Sequence, residues 1–400
     1  MSMQQIFCVM RSLADSREWR DTMDIKKKVL FITGTRADYG KIKSLMKTMD
    51  QAEEYDVYIY VSGMHLLPKY GNTYKEVLKD HYENVHVAFG QQHTDNMSMN
   101  LGIVLTHLSG YVSQVKPDMI LVHGDRIDAL AGALAGALNN ILVAHIEGGE
   151  VSGTIDDSIR HAISKFAHLH FVCNEEAKKR LLQLGESEER IYVIGSPDID
   201  VMLSHDLPSL DTVRKYYDIP FSNYGIFLYH PVTTELDQIA EHIKAILQAL
   251  KKSGKNYIAV YPNDDLGSEI ILNRIRKMEE EKNFVVYPSI RFEYFLTLLK
   301  NAELIIGNSS AGIRESGIYG VPAVDIGTRQ QGRYDIRKLP NIQHVPEKKK
   351  EILEAIHRIE DHRIRCHDFG KGEGTEKFLE IIKDECVWNY GIQKVFVDLR

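Results

Sequence analysis

An α/β fold with two parallel sheets is what the sequence predicts. Three observations predict it: short β-rich apolar runs alternate with longer helical patterns, nearly every run ends in polar residues, and the alternation restarts past a proline-spaced interval near residue 200. At 400 residues the chain exceeds one ordinary core, so two domains are expected. With 44% apolar and 26% charged residues, its composition excludes a disordered or fibrous protein.

Residues 1–22 fit no part of this plan. Met23 directly precedes Asp-Ile-Lys-Lys-Lys and the first strand, so 1–22 read as a leader or appended segment with no function assigned. The first domain, 23–200, carries strands predicted at 29–33, 57–61, 119–123, 141–146, 170–173 and 191–194, each rich in β-branched and aromatic residues. The interval 195–223 holds Pro197, Pro208 and Pro220 and reads as a hinge with one short helix. The second domain, 201–375, has strands predicted at 225–229, 257–261, 284–287, 304–306 and 323–326. The tail, 376–400, reads as a helix with Trp388 as its apolar anchor.

A formal net charge of -7 comes from well-mixed signs, and the lysine runs 26–28 and 348–350 are too short to argue for a nucleic-acid or membrane partner. An acidic chain that binds an anion must gather its cations at one place. Cys8, Cys173, Cys366 and Cys386 lie far apart with no Cys-x-x-Cys pair, which suggests neither a disulfide framework nor a thiolate zinc site. The most apolar stretch, 129–146, is broken by Asn139 and Asn140, and the run 6–10 is too short for a secretory signal. The expected location is the cytoplasm.

Ligands of open parallel sheets bind beyond the carboxyl ends of the strands. The polar strand ends here are Gly34-Thr35-Arg36-Ala37-Asp38, His123-Gly124-Asp125-Arg126, His145-Ile146-Glu147-Gly148-Gly149-Glu150, His230-Pro231-Val232-Thr233-Thr234, Pro262-Asn263-Asp264 and Gly307-Asn308-Ser309-Ser310. Singly, each reads equally well as a helix cap, and His123, His145 and His161 read as structural histidines. Six strand ends from two half-chains facing one cleft make a site. The small hydroxylated residues of Asn308-Ser309-Ser310-Ala311-Gly312 at a strand-to-helix turn predict a diphosphate seat on a helix N-terminus. Glu315, five residues beyond Ser310, is then about 7.5 Å along that helix, in reach of a ribose. No Gly-x-Gly-x-x-Gly follows the first strand and no Walker lysine is present, which argues against a dinucleotide oxidoreductase or P-loop NTPase.

With these segments in view, the chain from residue 27 onward resembles the hydrolysing UDP-N-acetylglucosamine 2-epimerases of bacterial sialic-acid biosynthesis and the epimerase half of the animal bifunctional epimerase/kinase. The resemblance rests on Thr33-Gly34-Thr35-Arg36-Ala37-Asp38-Tyr39-Gly40, His123-Gly124-Asp125-Arg126, the block from His145 to His161, His230-Pro231-Val232-Thr233-Thr234, Gly307-Asn308-Ser309-Ser310 and Gly327-Thr328-Arg329-Gln330. It implies two Rossmann-like domains facing a cleft in a glycosyltransferase-B-like arrangement, the tail helix returning to the first domain. It implies no metal and no nicotinamide, hence no cofactor, and a homodimer or homotetramer. Matched position by position, it implies catalytic roles for Asp125, Glu147, Asp156 and His230, and UDP contacts from Arg36, Arg126, Asn263, Ser309, Ser310, Glu315 and Arg329. The segment 331–342 departs from relatives, and no sugar-kinase domain follows, so N-acetylmannosamine is expected to leave unphosphorylated.

The implied chemistry has a physical logic. C2 of N-acetylglucosamine has no adjacent carbonyl, so its hydrogen becomes acidic only as UDP departs and C1 gains oxocarbenium character. Loss of that proton yields a glucal, and water then adds to set the manno configuration. This route needs cations or N–H groups on the leaving diphosphate and carboxylates at C2 and at the water; crowding of Asp125, Glu147 and Asp156 is expected to push their pKa values apart. Three other readings compete. A non-hydrolysing 2-epimerase carries His-Arg-Arg-Glu-Asn where this chain has His230-Pro231-Val232-Thr233-Thr234. A hydrolysing enzyme for a UDP-2,4-diacetamido-trideoxyhexose, feeding legionaminic acid, differs in a few pocket residues. A nucleotide-sugar sensor without turnover has no use for three acids beside an anionic ligand.

Overall fold

The computed structural model describes residues 26–398, so the segment 1–22 lies outside the described residues. The first sheet is built from β1 (Lys27–Thr33), β2 (Tyr55–Val61), β3 (Asn84–Val87), β4 (Met119–His123), β5 (Leu142–Ile146), β6 (Leu169–Val172) and β7 (Ile191–Val193). Its order is β3-β2-β1-β4-β5-β6-β7, all parallel. The second sheet contains β8 (Gly225–Leu228), β9 (Tyr257–Val260), β10 (Phe284–Tyr287), β11 (Leu304–Gly307), β12 (Ala323–Ile326) and β13 (Ile342–Val345). Its order, β10-β9-β8-β11-β12-β13, is again all parallel. Both orders reverse direction once, between β1 and β4 and between β8 and β11, so each half is a Rossmann-like domain with its ligand crevice at that switch point.

Period-two alternation explains why both faces of each sheet are covered. Val29 and Phe31 join one apolar cluster while Leu30 and Ile32 join the cluster on the opposite face. In the second sheet Ile226 and Leu228 are separated from Phe227 and Tyr229 in the same way. The helices that matter below are α1 (Arg36–Asp50), α2 (Met97–Val115), α3 (Ile127–Leu138), α4 (Ile155–Phe166), α5 (Pro197–Leu203), α6 (Leu210–Tyr217), α7 (Ser316–Tyr319), α8 (Gly374–Ile382) and α9 (Glu385–Trp388).

Four sequence expectations are corrected. The edge strands β3 and β13 were not expected; Asn-Val-His-Val of β3 is polar because an edge strand is only partly covered, whereas in Ile-Gln-His-Val of β13 only His344 is exposed and the buried Gln343 donates to the Ala355 carbonyl at 3.1 Å. The interval 195–223 holds two helices, α5 and α6, instead of one, with Pro197 at the first turn of α5 where its missing N–H costs nothing. The predicted regular helix after Asn308 is instead a 3₁₀ turn, Ser310–Gly312, then a turn, then the four-residue α7. The tail is not one helix over 376–400: α8 begins at Gly374, the short α9 ends at Trp388, and 389–398 carry no helix. In it, α8 packs on α1 and buries Phe378 and Ile382 in the core formed with β1 and β2. Trp388 stacks on Tyr55 with ring centroids 5.9 Å apart. Among the described residues no helix is long and apolar enough to cross a membrane.

Candidate active site

A cavity of about 250 Å³ opens between the carboxyl ends of the two sheets. All eleven residues singled out from the sequence line it: Asp125, Glu147, Asp156, Arg36 and Arg126 from the first domain, and His230, Asn263, Ser309, Ser310, Glu315 and Arg329 from the second.

Arg36 is placed by a capping box. The Thr35 side chain accepts from the Asp38 N–H at 3.1 Å and the Asp38 carboxylate accepts from the Thr35 N–H at 3.1 Å. This sets Arg36 as the first residue of α1, where Nε is buried without an acceptor among the described residues. Arg126 immediately precedes α3 and donates to Asp265 of the second domain at 2.7 Å.

Glu147 follows β5 with φ +68, a left-handed conformation that is uncommon for a non-glycine residue. Its backbone oxygen accepts from Arg160 at 2.7 Å. Its carboxylate meets His123 at 3.0 Å, Arg333 at 3.2 Å, Arg160 and Arg314 at 3.4 Å, and Lys41 at 3.6 Å. Burial would raise its pKa, but Arg314, Lys41 and His123 hold it well below the ordinary carboxylate value. Glu150, salt-bridged to Arg314 and to Arg333 at 3.1 Å, is pulled in the same direction, to about 2: burial opposes the shift, Arg314 is the largest cause favouring it, and Arg333 also contributes. Asp125 is salt-bridged to Arg160, and Asp156, in the first turn of α4, accepts from Arg329 at 3.1 Å. The three acids are held by guanidiniums: Asp125 and Glu147 share Arg160, Glu147 also meets Arg314 and Arg333, and Asp156 meets Arg329. The acid that burial does shift upward is Glu315, with Lys41 at 3.4 Å opposing.

His230 is clamped by its backbone. Its N–H donates to Asn308 Oδ1 at 2.7 Å, its carbonyl accepts from Asn308 Nδ2 at 2.9 Å, and its Nδ1 accepts from the Asn263 N–H at 3.0 Å. Burial, with Arg329 and Arg126 nearby, lowers its pKa well below the ordinary value. The neutral ring with an accepting Nδ1 carries its proton on Nε2 and is a hydrogen-bond donor there. Ser309 caps the 3₁₀ turn by accepting from the Ala311 N–H at 3.3 Å. Because Ser310–Gly312 is followed by a turn, the 7.5 Å helical rise expected for Glu315 does not apply; Glu315 reaches the cavity from the turn before α7.

Four cationic residues here were not singled out from sequence: Lys41, Arg160, Arg314 and Arg333. Arg160 lies one helical turn past Asp156, and this i,i+4 spacing on α4 was the available signal. Lys41 is 7% exposed, and burial alone would lower its pKa; Glu147 and Glu315 outweigh that and raise it. Arg333 falls in the 331–342 segment that departs from relatives. His123 belongs to the site through Glu147, whereas His145 is structural, bridging Ser164 Oγ at 3.0 Å and the Gly124 carbonyl at 2.8 Å. Two glycines are dictated by close approach. At Gly153 a Cβ would sit 2.3 Å from the Thr328 carbonyl of the other domain, and at Gly307, with φ +135, it would sit 1.8 Å from the Leu228 carbonyl. Glu235, His242 and Glu347 bring ligand-type atoms within 4.8 Å of one another, but they are not part of the cavity lining.

This site sets the Ser309 and Ser310 hydroxyls and His230 of one domain opposite Asp125, Glu147 and Asp156 of the other. A family model described as UDP-N-acetylglucosamine 2-epimerase matches residues 47–383. The UDP-N-acetylglucosamine 2-epimerase of Neisseria meningitidis serogroup B is 46% identical over 379 residues, covering 94% of this chain and all of the relative. The UDP-N,N'-diacetylbacillosamine 2-epimerase (hydrolyzing) of Legionella pneumophila is 32% identical, covering 89% of this chain and 96% of the relative. Among solved structures, the Methanocaldococcus jannaschii UDP-GlcNAc 2-epimerase in complex with UDP-GlcNAc and UDP aligns with TM-score 0.76 at 22% identity, over 89% of this chain and 99% of that one.

Proposed function

The chain belongs to the UDP-N-acetylglucosamine 2-epimerase family, and from that premise we propose that it is the hydrolysing type, converting UDP-N-acetylglucosamine and water to N-acetylmannosamine and UDP as the first step of sialic-acid biosynthesis. The observation that carries this reading is the grouping of Asp125 and Glu147, which share Arg160, and Asp156, held by Arg329, around one cavity whose other wall is His230, Ser309 and Ser310.

In this reading Arg36, the Nε2–H of His230 and the Ser309 and Ser310 hydroxyls receive negative charge as the C1–O bond breaks and its electron pair leaves with UDP. Asp125 is the most open of the three acids, with 20% of its side chain exposed against 5% for Glu147 and 10% for Asp156. We assign it the base that takes the C2 proton, giving the glucal. Water then supplies hydroxide to C1 and a proton to C2, with the His123–Glu147 pair ordering that water. Asn263, Arg126, Glu315 and Arg329 hold the nucleotide in place. The chain acts without a cofactor, in the cytoplasm, as a homo-oligomer. The hydrolyzing relative at 32% identity favours hydrolysis, and its name also keeps a UDP-diacetamido sugar as the second reading.

Phosphorus and proton NMR of the enzyme with UDP-N-acetylglucosamine in deuterated water tests this. Free UDP and N-acetylmannosamine deuterated at C2 are expected, and Asp125→Asn is expected to slow their formation by about a hundredfold or more. Recovery of UDP-N-acetylmannosamine points to the non-hydrolysing reaction. Retained protium at C2 excludes elimination, and turnover confined to a diacetamido substrate moves the assignment to the second reading.

A further inference from the structure

The last described residues form a strap that contributes nothing to the cavity lining yet connects to it. Beyond α9, Tyr390 Oη donates to the Glu189 carbonyl at 2.9 Å, the Ile392 carbonyl bonds His168 Nε2 at 2.9 Å, and the Val397 N–H donates to the Gly185 carbonyl at 3.2 Å. The Phe396 ring lies against Gly185 and under the Lys165 ammonium, 5.3 Å from it. Between these points Lys394 turns inward. Its ammonium donates to the carbonyls of Ser164 at 3.2 Å, Lys165 at 2.9 Å and Ala167 at 2.5 Å, and to the Glu186 carboxylate at 2.6 Å.

Those three carbonyls lie at the C-terminal end of α4, where backbone acceptors have no partner within the helix and where the helix dipole favours a cation. The same helix carries Asp156 in its first turn and Arg160 in its middle. Two hydrogen-bonded routes run from the capped end to the cavity. Ser164 bonds through its hydroxyl to His145 Nδ1, and His145 Nε2 bonds the carbonyl of Gly124, the residue before Asp125. One turn earlier, Arg160 binds Asp125 and both the carbonyl and carboxylate of Glu147.

We infer that Lys394 is a positioning residue for the reaction, fixing α4 and, through Ser164, His145 and Arg160, the placement of Asp125 and Glu147. His230, Ser309 and Ser310, assigned to the diphosphate, are on the other domain and, among the described residues, make no bond to α4, whose one link to a nucleotide contact is Asp156 with Arg329 at its opposite end. Lys394 therefore acts on the chemical step more than on UDP binding. The inference rests on the activity proposed above.

The test uses the full chain. Lys394→Met is compared with wild type and with Lys394→Arg, which keeps the charge. For Lys394→Met we expect kcat to fall about tenfold or more, since displacement of a catalytic group by around an ångström has effects of that order. KM and the Kd for UDP, from calorimetry, should stay within about twofold. Lys394→Arg should recover most of the lost kcat, and amide hydrogen exchange in the last turn of α4 should rise in the methionine variant and not in the arginine one. Ser164→Ala, which leaves the strap in place and breaks the route to Gly124, should give the same kcat-selective loss, and it provides the readout should Lys394→Met fail to fold. Wild-type kcat in either variant, or a loss confined to KM and UDP affinity, overturns the inference. Absence of turnover in the wild type instead overturns the proposed activity.

Discussion

His65 and His145 are packed as neutral imidazoles. His65 sits between Thr33 and Thr73 and His145 between Ser164 and Gly124, and burial drives their pKa values from the ordinary 6.5 to about 4 and about 3. Because these values are depressed, the unfolded chain binds protons below pH 6.5 that the folded chain refuses. Stability is complete above that pH and is lost as pH falls, by up to about 1.4 kcal/mol per pH unit for each histidine. Glu150, lowered to about 2, adds a loss of the same sign below the ordinary value of 4.5. Urea midpoints should therefore drop steadily from pH 7 to pH 5; a flat profile over that range contradicts buried neutral histidines. At this scale the acids, His230 and the other cavity-lining residues singled out were legible because they follow strand ends, where ligands collect. Lys41, Arg160 and Arg314 were not, since each lies within or beside a helical turn and meets the acids of the site only through tertiary packing.

The elements were legible where β-branched and aromatic residues run uninterrupted, and illegible where exposure or a small-residue turn weakened the pattern, as at β3, β13 and the segment 308–319. The start of α1 shows how an element serves the site. Its capping box fixes both the first turn and Arg36, and Thr33 Oγ1 donates to the same Asp38 carboxylate at 2.5 Å. Thr35→Val should lower stability by about 1 kcal/mol, as loss of an N-cap typically does. It should also raise KM for the nucleotide sugar more than it lowers kcat, because Arg36 loses its register. Denaturant titration with steady-state kinetics checks both, and unchanged KM would detach Arg36 from the nucleotide.

Across the whole molecule the cleft is rimmed by ion pairs that join the domains: Glu76 with Arg291 at 2.9 Å, Lys43 with Glu293 at 2.9 Å, and Arg126 with Asp265 at 2.7 Å. The two more open pairs, Glu76 with Arg291 and Lys43 with Glu293, are weak singly, about 0.2–1 kcal/mol. Glu76→Gln should therefore raise KM by up to about fivefold with kcat little changed, by easing the domains apart; a change in kcat alone would contradict a role in closure. The two-sheet plan was visible in the sequence, but no local pattern encodes which charges meet across the gap. Deeper in, that meeting is strict. Glu147 and Glu150 from one half are neutralised by Arg314 and Arg333 from the other, and Asp156 by Arg329. A chimera spliced near residue 200 with a distant homologue would inherit one set of charges without its counterions, and would have to bury them unpaired. Recombination between such genes at their midpoint is thus viable only when acids and guanidiniums travel together.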